Sequence, residues 1–188
     1  MKKRDNSVSR PPRLLPARQL PPYSYVSRKF LHPTRDMAGH SYGREEPKAS
    51  LSHEEEWCEC EAYLWGIDLF NSGYYWEAHE AWEAVWHATG RSGTMADFCK
   101  ALIKFAAAGV KAREGRTEGV KQHAQRARQL LESVATQIGS GQDRFMGLSL
   151  QMMAQCAEEL INNPSAIINT SDEPVVMVMP FALQIGTG

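Results

Sequence analysis

Apolar residues recur through the middle of the chain at helical spacing. Trp57, Cys60, Leu64 and Ile67 fall at i, i+3, i+7 and i+10, one face of a helix predicted over 52–72. Ser52 with Glu55 fits a capping box at its start, and Asn71 and Gly73, which tolerate left-handed backbone, mark its end. Tyr75, Ala78, Trp82 and Val85 repeat the spacing over 74–88, with His79 and Trp86 on the border of the stripe. A third helix over 94–114 turns Met95, Phe98, Leu102, Phe105, Ala106 and Gly109 to one side. Its run Ala106-Ala107-Ala108-Gly109 is small enough for close approach of a neighbouring helix. Thr117 is the expected cap of a fourth helix, over 117–138. There Val120, Ala124, Ala127, Leu131, Val134 and Ile138 follow a 4-3-4-3-4 spacing, the clearest amphipathic signal in the chain. A fifth helix is predicted over 142–162, with Phe145, Leu148, Met152, Cys156 and Leu160 inward and Asn163-Pro164 as its stop.

These segments predict an all-α fold, a compact bundle of about five helices built from helical hairpins, spanning 51–162. The spacing Gly73-x-Tyr75-x-x-Ala78-x-x-x-Trp82 resembles the turn and second helix of a tetratricopeptide unit. A fainter echo occurs at Gly115, Thr117, Val120 and Ala124. Two copies do not make a solenoid, which needs several stacked units.

The flanks have a different composition. Residues 1–50 hold seven prolines and eleven Lys/Arg against four Asp/Glu, a net of +7 that leaves −8 for the rest of the chain. Proline density rules out regular helix over most of this stretch. Residues 1–21 are expected to be a disordered basic leader. Residues 22–50 carry Tyr23, Tyr25, Val26, Phe30, Leu31 and Tyr42, too apolar for a linker, and are expected to lie extended across the acidic bundle. Residues 163–188 form a tail, whose uncharged run Pro174 to Pro180 should pack back on the body, since left free it would expose an aggregation-prone strand.

Candidate chemistry concentrates on the second helix. Trp76, Glu77, His79, Glu80, Trp82, Glu83 and Trp86 crowd its aromatic and ionisable flank and define a candidate pocket. A tryptophan among ionisable groups implies cover, and the 22–50 arm is the expected cover for Trp76. His79, Glu83 and His87 lie at i, i+4 and i+8. Joined by His32 or His40 from the arm, they would complete a divalent-metal site as the alternative to a cofactor-free site. On the third helix, Lys100, Lys104 and Lys111 share a far side that reads as a solvated lysine face, with Lys104 pairing to Glu80 or Glu83 as the alternative and a polyanion site third; on the fourth, His123 borders the core.

The string Leu69-Phe70-Asn71-x-Gly73-x-Tyr75-x-Glu77-Ala78-His79-Glu80-x-Trp82-Glu83-x-x-Trp86 resembles the signature of a family of small helical prokaryotic proteins, domain of unknown function 309. The resemblance runs over about 55–135. It implies an all-helical bundle and supplies no activity, so no catalytic residue carries over.

A net charge of −1 and a pI near 6.6 argue against a nucleic-acid partner. No apolar run reaches membrane-spanning length and no secretory signal is read, so a cytoplasmic location with free thiols at Cys58, Cys60, Cys99 and Cys156 is expected, and no membrane partner. There is no Gly-x-Ser-x-Gly, no phosphate-cradling glycine loop and no Cys-x-x-Cys. The reading is a non-catalytic binding or scaffold module for a protein or small ligand. The alternative is a metal-assisted or acid–base hydrolase-like enzyme centred on His79 and Glu83. Oligomeric state is not legible.

Overall fold

In the computed structural model the described residues are 10–44, 49–139 and 141–186. They contain five α-helices: α1 (Glu61–Asn71), α2 (Tyr75–Ala88), α3 (Thr94–Arg113), α4 (Thr117–Ile138) and α5 (Leu150–Asn162). Each helix packs on the next in sequence order, α1 on α2, α2 on α3, α3 on α4 and α4 on α5. The fold is an all-α bundle, because each amphipathic stripe finds its partner in the neighbouring hairpin. No described helix is long and apolar enough to cross a membrane.

The core forms where these stripes meet. Trp82, Tyr63, Tyr75, Phe70, Phe98 and Phe105 are its largest fully buried side chains. Two glycines let bulky rings in. A Cβ at Gly66 would collide with the Trp82 indole, and one at Gly109 with the Tyr75 ring. Trp82 Nε1–H donates to the Tyr63 carbonyl across the α1–α2 contact at 3.2 Å. Gly73 supplies the turn between these helices at φ +90°.

Several predicted boundaries shift. The first helix is broken: a 3-10 turn over Glu54–Cys58 precedes α1, and Trp57 belongs to that turn. The expected Ser52/Glu55 capping pair is replaced by Glu56, whose carboxylate accepts the Ser52 and His53 backbone N–H groups at 3.0 and 3.3 Å. Thr117 is the first residue of α4 and not its cap. The predicted fifth helix starts eight residues late. A two-residue antiparallel hairpin, β1 (Arg144–Phe145) and β2 (Leu148–Ser149), turns through Met146 (φ 47°) and Gly147 (φ 80°) and buries Phe145 and Leu148 without a helix. α5 then presents Leu150, Met153, Ala157 and Leu160 inward, and Met152, expected inside, is half exposed.

The flanks are tied down. Residues 1–9 of the expected disordered leader lie outside the described residues, but 10–21 contradict that expectation. The Leu14 and Leu15 backbone N–H groups donate to the buried Asp68 carboxylate at 2.7 and 2.8 Å. Arg18 stacks on Trp65 at 4.5 Å and pairs with Glu61 at 2.7 Å. The tail also packs back, with Met179, Ala182 and Leu183 buried. It forms no strand pairing among the described residues. Instead Tyr75 Oη accepts the Val178 and Met179 N–H groups, and the Asn71 amide clasps both backbone groups of Leu183.

Gly109→Ala is expected to destabilise the bundle by about 2 kcal/mol, because its methyl forces Tyr75 out of its slot. Urea denaturation of wild type and variant measures this, with the released tail as a second readout through faster proteolysis beyond Pro174.

Candidate functional site

The site forms where the arm crosses α1 and α2. Glu77, in the first turn of α2, is 7% exposed, and a carboxylate at that depth needs donors on both oxygens. The arm supplies them. Tyr25 N–H donates to Oε1 at 2.9 Å and Ser24 Oγ–H to Oε2 at 3.1 Å. His40 Nε2 lies 3.1 Å from Oε1, with both side chains 6% exposed. His40 Nδ1 in turn meets Ser41 Oγ at 2.9 Å, which fixes the ring. Tyr74, one residue before α2, donates its hydroxyl to the Pro21 carbonyl at 2.8 Å.

Trp76 is covered, as a lone tryptophan on a polar flank requires. Tyr25 and His32 meet its ring edge-on, at 5.5 and 5.4 Å between centroids. Between arm and helices remains a cavity of about 510 Å³. Leu20, Pro21, Pro22, His40 and Arg44 wall it on the arm side. Trp65, Leu69, Trp76, Glu77, Glu80 and Ala81 wall it on the helix side.

The predicted pocket residues divide among three places. Trp76, Glu77 and Glu80 line the cavity. Trp82 is wholly buried core and corrects the expectation that it lines a pocket. His79, Glu83 and Trp86 lie away from the cavity. Lys100 Nζ and the Arg91 guanidinium sit over the Trp86 ring at 5.4 and 5.5 Å.

The metal set also changes. His79, Glu80 and Glu83 each offer a ligand atom within 4.8 Å of the others, and all three are half-buried. His79 Nδ1 lies 3.6 Å from Glu80 Oε1 and is a buried polar atom without a hydrogen bond among the described residues. His87, predicted as a ligand, is exposed and accepts from Arg91 Nε at 2.7 Å. It sits past the last buried turn of α2, where nothing directs it back toward His79. His32 and His40 do not join the group either, because Trp76 and Glu77 hold them.

Sequence reasoning missed the residues that hold the arm from outside the ionisable flank. Asp68, Tyr74 and the arm's Ser24 carry polar groups amid apolar neighbours, and nothing in their spacing distinguishes them from surface positions. Lys104 does not pair with Glu80 or Glu83. Burial, with Lys100 and Arg126 nearby, pushes its amine down from the usual lysine range. Burial, with Lys104, Lys111 and His79 beside it, pushes the half-buried His123 down to about 4.

The geometry defines a class: an all-helical bundle whose second helix is roofed by its own proline-rich arm. Residues 63–122, from α1 into α4, match the family described as Domain of unknown function (DUF309). The arm and the tail lie outside the matched stretch. No curated protein and no solved structure matches the chain.

Glu77→Ala is expected to strip Ser24, Tyr25 and His40 of their acceptor and to cost about 3 kcal/mol, in line with breaking a buried charged contact. Limited proteolysis should then cut within 22–44 well before the bundle is attacked, whereas wild type should resist at the same protease dose.

Proposed function

We propose that the protein is a non-catalytic binding module that takes a small ligand into the recess between its arm and the α1–α2 hairpin. The observation that carries this reading is the 510 Å³ cavity itself. Its size falls among small-molecule sites, which combine apolar walls with a few fixed polar groups. Trp65, Leu69, Ala81 and the Leu20-Pro21-Pro22 turn supply the apolar walls. Glu77 and His40 supply polar groups already locked by their mutual contact, so little order is lost when a ligand enters.

A second reading rests on the His79, Glu80 and Glu83 group. One imidazole and two carboxylates could hold a divalent ion with open positions left for water, and a bound ion would satisfy the orphaned His79 Nδ1. On that reading the ion would polarise a substrate or activate water, and His79 would orient it.

Titration with the fluorescent probe 8-anilinonaphthalene-1-sulfonate separates these readings. Wild type should give saturable one-site enhancement. Thr34→Trp, which fills the recess from an exposed arm position, should weaken it about tenfold, or about 1.4 kcal/mol. Wild type with no saturable binding would remove the first reading. For the second, zinc or manganese should raise the melting temperature of wild type and leave His79→Ala unmoved.

A further inference from the structure

The recess under the arm carries opposite charges on its two walls. The helix wall presents Glu77 and Glu80, and the arm wall presents Arg18 and Arg44. Among the described residues, neither arginine forms an ion pair with either glutamate. Opposite charges facing one partly desolvated cavity attract across it. Here the walls are held back by contacts of their own. Arg18 is fixed by Glu61 at 2.7 Å and by the Trp65 ring, 4.5 Å from its centroid. Glu77 is tied by Ser24, Tyr25 and His40. The charges therefore do not collapse onto one another, and the cavity of about 510 Å³ stays between them.

On each wall one charged group can still turn to a ligand. Glu80 is half-buried, and its approach to His79 Nδ1, at 3.6 Å, is too long for a hydrogen bond. Trp76 lies one helical turn before it and lines the same recess, so a cation that meets this carboxylate also borders an indole ring. Arg44 is exposed, and its long stem lets the guanidinium follow an incoming anion. Between these two groups the lining is apolar, with Leu69, Ala81 and Pro21.

We propose that the recess takes a zwitterion with an apolar body, the chemistry of a free amino acid with a large side chain. The inference rests on the reading of the recess as a ligand site and adds the class of ligand. Glu80 receives the ammonium beside the Trp76 ring, and Arg44 receives the carboxylate through charge-assisted hydrogen bonds. The body lies against Leu69, Ala81 and Pro21. A ligand carrying only one of the two charges meets like charge on one wall and leaves the other wall unanswered, so the recess discriminates against it.

Calorimetric titration of the full chain with L-tryptophan, tryptamine and indole-3-propionate tests the proposal, with a chelator present so that no ion competes for Glu80. The three probes share one body and differ in their charges. L-Tryptophan should bind with one-site saturation, and each analogue at least about tenfold more weakly. Glu80→Gln should weaken L-tryptophan and tryptamine at least about fivefold and leave indole-3-propionate within about twofold. Arg44→Gln should do the reverse, weakening L-tryptophan and indole-3-propionate and sparing tryptamine. Far-UV circular dichroism checks that both variants fold. The proposal is overturned if L-tryptophan does not saturate, if either analogue binds as tightly, or if Thr34→Trp leaves L-tryptophan binding unchanged. Saturable binding of 8-anilinonaphthalene-1-sulfonate together with any of the first two results sinks the ligand class and spares the recess as a site. Loss of saturable binding for that probe and for L-tryptophan alike sinks both.

Discussion

Buried polar side chains on the first two helices hold this molecule's irregular segments in place. A chain with many prolines cannot satisfy its own backbone through helix or sheet, so donors and acceptors in the arm and tail need partners elsewhere. The α1–α2 hairpin provides them within ten residues. Asp68 takes two arm N–H groups, Tyr74 reaches an arm carbonyl, and Glu77 takes a third arm N–H and a hydroxyl. Asn71 and Tyr75 do the same for the tail. Arg113, at the end of α3, completes the pattern by donating to the Asn169, Ser171 and Glu173 carbonyls.

This constraint explains how an acidic residue sits in the core at all. Glu77 and Asp68 are as inaccessible as neighbouring apolar residues, and in an empty hydrophobic site their charges would carry a prohibitive desolvation cost. Backbone donors from the arm replace water, and they are already directed when the proline-stiffened chain crosses the helix. The dependence runs both ways, since the arm keeps its course only because the carboxylates are there. A cavity bounded by such a pair is preorganised on both walls.

The helices were legible from sequence because their stripes are long and regular. The 4-3-4-3-4 run of α4 and the aromatic run of α2 leave little freedom of assignment. The shifted start of the fifth helix comes from local backbone competition. Asp143 accepts the Gln151 N–H and the Ser149 hydroxyl, which stabilises a hairpin where Phe145 and Leu148 looked like one helical face. With that register moved, Met152 turned outward. Residues 10–21 read as disordered because composition measures what a segment can bury alone, whereas here α1 supplies Asp68 and Trp65. The cover over Trp76 could be anticipated from residue type, but which histidine meets which carboxylate could not. The path of residues 22–44 settles that, and no periodicity encodes it.

His79 shows how far such a path decides chemistry. On helical spacing alone, His79, Glu83 and His87 form the natural ligand row. The row fails at its end, where α2 runs out into the exposed turn after Ala88 and His87 becomes the acceptor for Arg91. Glu80, adjacent in sequence, rotates toward His79 instead and also borders the arm's recess. Through Glu80 the two candidate sites share a wall. A ligand that drew this carboxylate into the recess would loosen the His79 group, and an ion at His79 would withdraw it from the recess. Occupancy at the two places is therefore expected to be antagonistic, since one carboxylate cannot satisfy both at full strength.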